Sequence, residues 1–197
     1  MRIFFIVFSY LFGAIPTGYL LVKLKTKRDI RNVGSGSTGA TNVLRYQGWK
    51  LAIPVMLFDV LKGFLPALAG LHWFHNRNLA MVGALAAVIG HCYPLYLKFR
   101  GGKGVATSIG AFLYLAPFPL ILSLSVILIM IFLFRYVSLA TLTGLLLFPL
   151  FVIIFYKDYN LFIFGLIIFF LVAWRHRENI GRLLNGTERK FGEKLNG

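Results

Sequence analysis

GVATSIGAFLYLAPFPLILSLSVILIMIFLF, residues 104–134, contains no charged side chain. A helix crosses a hydrocarbon core of ~30 Å in about 20 residues, so this run is too long for one crossing, and Pro117 and Pro119 interrupt it near its middle. Two short spans joined at the prolines account for both facts.

The rest of the chain follows the same logic. Of 197 residues, 58% are hydrophobic and 14% charged, too few polar side chains to cover a soluble globule of this size. The expected fold is an all-α integral membrane protein, one polytopic domain over residues 1–197 with about seven spans near 3–22, 51–71, 79–97, 104–116, 120–134, 136–156 and 160–174. The first apolar run is followed, not preceded, by its basic residues (Lys23, Lys25, Lys27, Arg28) and has no small-residue cleavage site, so it reads as a retained span and not a secretory signal. Asp59 and Lys62 lie within the second span, on one helix face at i and i+3, as a pair that can partly neutralise itself.

A net charge of +15 would suggest nucleic acid in a soluble protein, but here the cations form short clusters between apolar runs, as in cytoplasmic loops beside anionic lipid. No nucleic-acid partner is expected. With seven spans, the large basic loops, Arg135 and the tail fall on one side, and only Arg2, Arg77 and Lys157 on the other. That places the N-terminus outside and the C-terminus in the cytoplasm. It also gathers three polar islands on one face, where they can form one site.

The first island, Val33-Gly-Ser-Gly-Ser-Thr-Gly-Ala-Thr-Asn-Val-Leu-Arg45, looks built to hold an anion. Gly34, Gly36 and Gly39 permit positive φ and close approach, Ser35, Ser37, Thr38, Thr41 and Asn42 bring small polar groups, and Arg45 a planar cationic fork. A flexible linker is the plainer reading, but Thr-Asn followed by Arg at helical spacing is foreign to Gly/Ser linkers. The second, Lys98-Phe-Arg-Gly-Gly-Lys-Gly-Val-Ala-Thr-Ser108, sets Gly101, Gly102 and Gly104 around Lys103 just before an uncharged helix, which suits a phosphate at a helix N-terminus. An ordinary positive-inside flank has the same charges. Lys103 is followed by Gly104, not Ser or Thr, so this is not a nucleotide-binding P-loop. In the third, Arg175-His-Arg-Glu-Asn-Ile-Gly-Arg-Leu-Leu184, continued helix puts His176, Asn179 and Leu183 on one face, although a histidine just past a span is commonly only interfacial.

Several chemistries are missing. There is no Gly-x-Ser-x-Gly elbow and no histidine with an aspartate five residues on, so a covalent hydrolase is poorly supported. Cys92, the only cysteine, is expected to be a buried, inert thiol. Asp29, Asp59, Asp158, Glu178, Glu188 and Glu193 are scattered, so neither a metal site nor a carboxylate pair is expected, and no cofactor.

Together, the first island, Gly-His-Cys-Tyr-Pro-Leu-Tyr96 with Phe-Arg-Gly-Gly-Lys-Gly-Val-Ala-Thr107, Asp59-Val-Leu-Lys-Gly-Phe-Leu-Pro66, and Arg175-His-Arg-Glu-Asn-Ile-Gly-Arg-Leu-Leu-Asn-Gly-Thr-Glu188 resemble the bacterial acyl-phosphate:glycerol-3-phosphate acyltransferases of the PlsY type, in order from the first span to Glu188. Ser37 stands where the family usually has Asn. The resemblance implies transfer of a fatty acyl group from acyl phosphate to the 1-hydroxyl of glycerol 3-phosphate, giving lysophosphatidic acid for phospholipid synthesis at the cytoplasmic face of the bacterial inner membrane. It implies catalytic roles for Ser35, Arg45, Lys103, His176 and Asn179 and phosphate binding by Gly36, Thr41, Asn42, Gly101, Gly102 and Gly104, with Glu188 structural. Either the donor phosphate or His176 then takes the hydroxyl proton, and the bilayer supplies the lipidic donor.

Two other classes compete. A small organic-phosphate transporter would use Asp59 and Lys62 as intramembrane charges, but its binding groups belong at the midplane and no inverted repeat is visible. A non-catalytic lipid-binding scaffold has no need for Arg45, Lys103, His176 and Asn179 to converge.

Overall fold

The computed structural model describes residues 1–193; residues 194–197 of the polar tail lie outside them. The described chain is all helical: α1 (Arg2–Ala14), α2 (Thr17–Thr26), α3 (Ala40–Gln47), α4 (Trp49–His72), α5 (Arg77–Cys92), α6 (Val105–Leu115), α7 (Pro117–Phe134), α8 (Val137–Phe155), α9 (Tyr159–Arg175) and α10 (Arg177–Leu184). Five helical stretches are long and apolar enough to cross a membrane, the first being α1 and α2 together, and α9 with α10, bent by 65°, makes a sixth. At 11 residues α6 is shorter than the about 20 that a perpendicular crossing needs.

Local chemistry sets the breaks. Pro16, without an N–H, stands between α1 and α2, and α2 runs past the expected end of the first span to Thr26 because Lys23 and Lys25 sit in its last turn, beside its exposed carbonyls. The uncharged stretch 104–134 divides at Ala116, with Pro117 opening α7 where the first N–H groups have no helical partner anyway. Arg135 then ends α7 in the left-handed region. Asn76 and Asp158 cap α5 and α9, each side chain accepting from a backbone N–H three residues on.

The burial pattern is inside-out. Phe4 and Phe132 are 80% and 85% exposed, while much of the buried surface is Ala, Gly, Ser and Thr. In lipid, helices associate by close packing and not by hydrophobic exclusion, so small residues gather at the contacts.

The chain forms two compact units, residues 1–111 and 112–193. In the first, α5 packs on α1 and α4. A Cβ at Gly13 would strike the backbone of Ala87, one at Gly90 that of Tyr10, and one at Gly70 that of Ala80. Gly63 of α4 lies against the Thr107 carbonyl and Gly110 against that of Val60, so the start of α6 lies backbone to backbone on α4. In the second unit, α7, α8 and α9 pack in succession. Phe112 stacks on Phe148 at 3.7 Å between centroids, and Phe164 meets Phe112 edge-on at 5.8 Å.

Candidate active site

The first island is a folded loop. Asp29 accepts the Arg31 N–H at 2.9 Å, capping a short 3-10 turn at Ile30–Asn32, and its carboxylate takes the Arg31 guanidinium at 2.7 Å. Those hydrogen bonds outweigh partial burial and hold the Asp29 carboxyl below the ordinary range. Arg31 also donates to the Leu97 carbonyl at 3.3 Å and lies over the Tyr19 ring, tying this island to the approach of the second. Gly34 and Gly36 adopt φ of 62° and 68°, a region that L side chains resist.

Buried Asn42 braces the turn. Its Oδ1 accepts the Ser35 N–H at 3.1 Å, and its Nδ2 donates to the Val33 and Ser37 carbonyls at 2.9 Å each. Ser37, at the position where the family usually has Asn, is buried, and its Oγ accepts the Gly39 N–H at 3.2 Å. Gly39 opens α3, which carries Thr41, exposed, and Arg45, partly buried, one turn apart. Beneath the loop, Gly18 of α2 meets the Thr38 carbonyl so closely that any Cβ would collide.

The second island is a chain reversal. Pro94 stops α5, Lys98 and Phe99 take φ of 53° and 62°, and the Phe99 N–H returns to the Pro94 carbonyl at 2.9 Å. The Gly102 N–H then donates to the His91 carbonyl at 3.0 Å. A Cβ on Gly101 would strike that carbonyl and Pro94, and one on Gly102 would enter the His91 ring. Gly104, at φ 85°, turns the chain into α6, and the Ser108 Oγ donates to its carbonyl at 2.8 Å. Lys103 is thus held, partly buried, between the close-packed Gly101 and Gly102 and the turn at Gly104, at a helix start.

Below this loop lies a buried polar group. Lys62 bonds Asp59 at 2.5 Å, as the i, i+3 spacing implies, and Asp59 also accepts from Thr17 Oγ1 at 3.3 Å and stands 3.5 Å from His91 Nδ1. Thr17, His91 and Arg31 are the site neighbours that sequence reading missed. The signal for His91 was its place just before the loop, but its contact with Asp59 arises from the packing of α5 on α4, which no spacing rule encodes.

In the second unit, α9 bends into α10 at buried His176, whose Nδ1 is 2.8 Å from the Val172 carbonyl. A carbonyl only accepts, so Nδ1 carries the proton and a neutral ring keeps its lone pair on Nε2. Asn179 Nδ2 donates to Glu188 Oε1 at 2.6 Å, Ser138 Oγ to the same oxygen at 2.9 Å, and Arg182 Nε to Oε2 at 2.8 Å. Burial pushes the Glu188 carboxyl up, but these three donors, Asn179 foremost, outweigh it and hold it below the ordinary range. Among the described residues no cluster of three or more His, Cys, Asp or Glu is arranged to hold a metal.

These features define a multi-pass, all-helical membrane protein with folded, glycine-rich polar loops. The sequence profile described as Glycerol-3-phosphate acyltransferase matches residues 3–186. The chain is 46% identical to the glycerol-3-phosphate acyltransferase of Thermoanaerobacter pseudethanolicus, over 95% of this chain and 94% of that one. Against the same-named protein of Aquifex aeolicus identity is 42%, covering 96% and 98%. Among solved structures, the glycerol 3-phosphate form of PlsY, an integral membrane glycerol 3-phosphate acyltransferase, superposes with a TM-score of 0.92 at 42% identity, covering 97% of this chain and 96% of that one. The lysophosphatidic acid form of PlsY gives 0.89 at 39% identity, covering 98% and 96%. The chain belongs to the glycerol-3-phosphate acyltransferase family.

Proposed function

We infer that this protein transfers a fatty acyl group from acyl phosphate to the 1-hydroxyl of glycerol 3-phosphate, releasing lysophosphatidic acid and inorganic phosphate. The observation that carries this reading is the pair of glycine loops, each followed by a helix and accompanied by a cation, Arg45 on α3 or Lys103 in the second loop, and tied together by the Arg31 to Leu97 bond. Two phosphates have to be handled, one on each substrate. The PlsY forms with glycerol 3-phosphate and lysophosphatidic acid support the acceptor and the product.

The chemistry asks little of the protein. The hydroxyl oxygen attacks the acyl carbonyl carbon, the carbon–oxygen bond to phosphate breaks, and the departing phosphate is a good leaving group that can take the hydroxyl proton. Holding both substrates in reacting geometry can supply ~7–11 kcal/mol, and fixed cations stabilise the charge that develops. Ser35, Arg45 and Lys103, with Gly36, Thr41, Gly101, Gly102 and Gly104 of the same two segments, are assigned to the phosphates, and Asn42 acts by holding the first loop. His176 and Asn179 are assigned to orienting substrate, with Glu188 fixing the Asn179 amide.

We place the loops in the cytoplasm at the bacterial inner membrane, with seven crossings, α6 being a short one, and the N-terminus outside. The basic loops favour this orientation. So do two local contacts: Arg31 with Leu97, which joins the loops before α3 and after α5, and Arg135 with Phe191, which joins the α7–α8 turn to the tail. Acyl chains then arrive laterally from the bilayer, each buried CH₂ contributing about 0.8 kcal/mol. Purified protein offered glycerol 3-phosphate with acyl phosphate, acyl-CoA or acyl-carrier protein at equal concentration should form lysophosphatidic acid from acyl phosphate alone. Comparable product from the thioesters would refute the donor assignment.

A further inference from the structure

We propose that Asp59 and His91 are positioning residues that set the two glycine loops in register, His91 acting through Gly102 on Lys103; this rests on the reading that Lys103 meets a substrate phosphate. The buried group around Asp59 is more than an ion pair lost in an apolar helix. One carboxylate oxygen, Asp59 Oδ1, is shared by Lys62, Thr17 and His91, from α4, α2 and α5. The Thr17 and His91 arms each end beneath a loop.

Thr17 precedes Gly18, the glycine on which the Thr38 carbonyl of the first island rests. His91 has its Nδ1 toward Asp59, and its Nε2 edge fills the space that a side chain on Gly102 would occupy. The Gly102 N–H is bonded to the His91 carbonyl as well, so residue 91 grips residue 102 through both backbone and ring. Lys103 is the next residue. A ring held on one side by a carboxylate and on the other by backbone has little freedom to tilt, and that rigidity passes to the loop. Asp59, His91 and Lys62 are each at least nine-tenths buried, so the arrangement is shielded from solvent competition. A buried ion pair adds little net stability over an apolar substitute, which is consistent with its being kept for geometry.

The test uses the full-length protein in detergent or vesicles, with acyl phosphate and glycerol 3-phosphate varied separately. Replacing the ring in His91→Ala should lower kcat/KM by about ten- to hundredfold, the scale on which a ~1 Å misplacement acts, and His91→Gln, which keeps a donor for Asp59, should recover part of it. If His91 works through Lys103, the double variant His91→Ala/Lys103→Met is no worse than Lys103→Met alone; losses that multiply would overturn the proposal. Hydrogen exchange supplies a readout independent of turnover: amides of residues 99–105 should exchange faster in His91→Ala, with α1 and α4 unchanged. Unchanged loop exchange, or uniform loosening of the whole unit, also overturns it. Should His91→Ala fail to fold, Gly102→Ala presses the ring from the loop side and is read the same way. Full activity in Lys103→Met would sink the phosphate assignment and leave the exchange result to decide loop positioning by itself.

Discussion

At the scale of single residues, Lys103 and Asn42 are proposed to serve an anion in two ways. Lys103 brings charge, and Lys103→Met should cost about 2–3 kcal/mol of transition-state stabilisation, roughly 30- to 150-fold in kcat/KM, measured with acyl phosphate as donor. Asn42 brings shape. Asn42→Ala frees the Ser35 N–H and the Val33 and Ser37 carbonyls at once, so its loss should appear both in turnover and in the melting temperature of the detergent-solubilised protein. Glu188 gives a pH-dependent counterpart. A carboxyl held below its unfolded value, near 4.5, stays ionised in the folded protein while the unfolded chain is already taking up protons. Its stabilisation is therefore complete above that value and disappears as pH falls towards the depressed one. Wild type should lose thermal stability as pH falls from about 5 into the range below 4, and Glu188→Gln, less stable at pH 7, should lose less across that interval.

Among elements, the decisive contact is α4 with the start of α6. Gly63 and Gly110 let two backbones touch, and this places the helix that follows Lys103. Gly110→Val should destabilise by at least ~1–3 kcal/mol, because the Val60 carbonyl it meets is backbone and has no rotamer to yield, and thermal unfolding in detergent measures it. The break at Ala116, beside Pro117, and the pairing of Asp59 with Lys62 were legible in the sequence because proline chemistry and helical spacing are local properties; Pro16 and Pro94 lie inside the expected spans 3–22 and 79–97, and the breaks beside them were not read. The links from Asp59 to Thr17 and His91, and from Arg31 to Leu97, were not. They join residues 42, 32 and 66 positions apart, and no periodicity encodes which carbonyl a guanidinium will find after the chain has reversed. Gly102 was read as an anion-binding glycine; its neighbour His91 shows that its lack of a side chain also makes room for a ring.

For the whole molecule, hydropathy and charge sufficed for the class, because a bilayer punishes unpaired backbone so severely that apolar runs of this length have one outcome. Span number was less legible: α6 is too short for a length rule, and α2 continues into lysines that a hydropathy window excludes. Orientation remains a question of charge. In sealed vesicles, a thiol-reactive probe from the cytoplasmic side should label Arg135→Cys, and from the opposite side Lys157→Cys, in a Cys92→Ala background; the reverse pattern would invert the topology. The close glycine and alanine contacts have a further consequence. Much of the oily surface faces lipid whether or not the helices are packed, so separating them within the bilayer hydrates little new apolar area. The heat-capacity change of that separation should then be small, and its stability curve against temperature shallow. Such a protein has little cause to come apart on chilling, and the freezing of its surrounding lipid chains, not cold denaturation, would set the temperature at which it stops working.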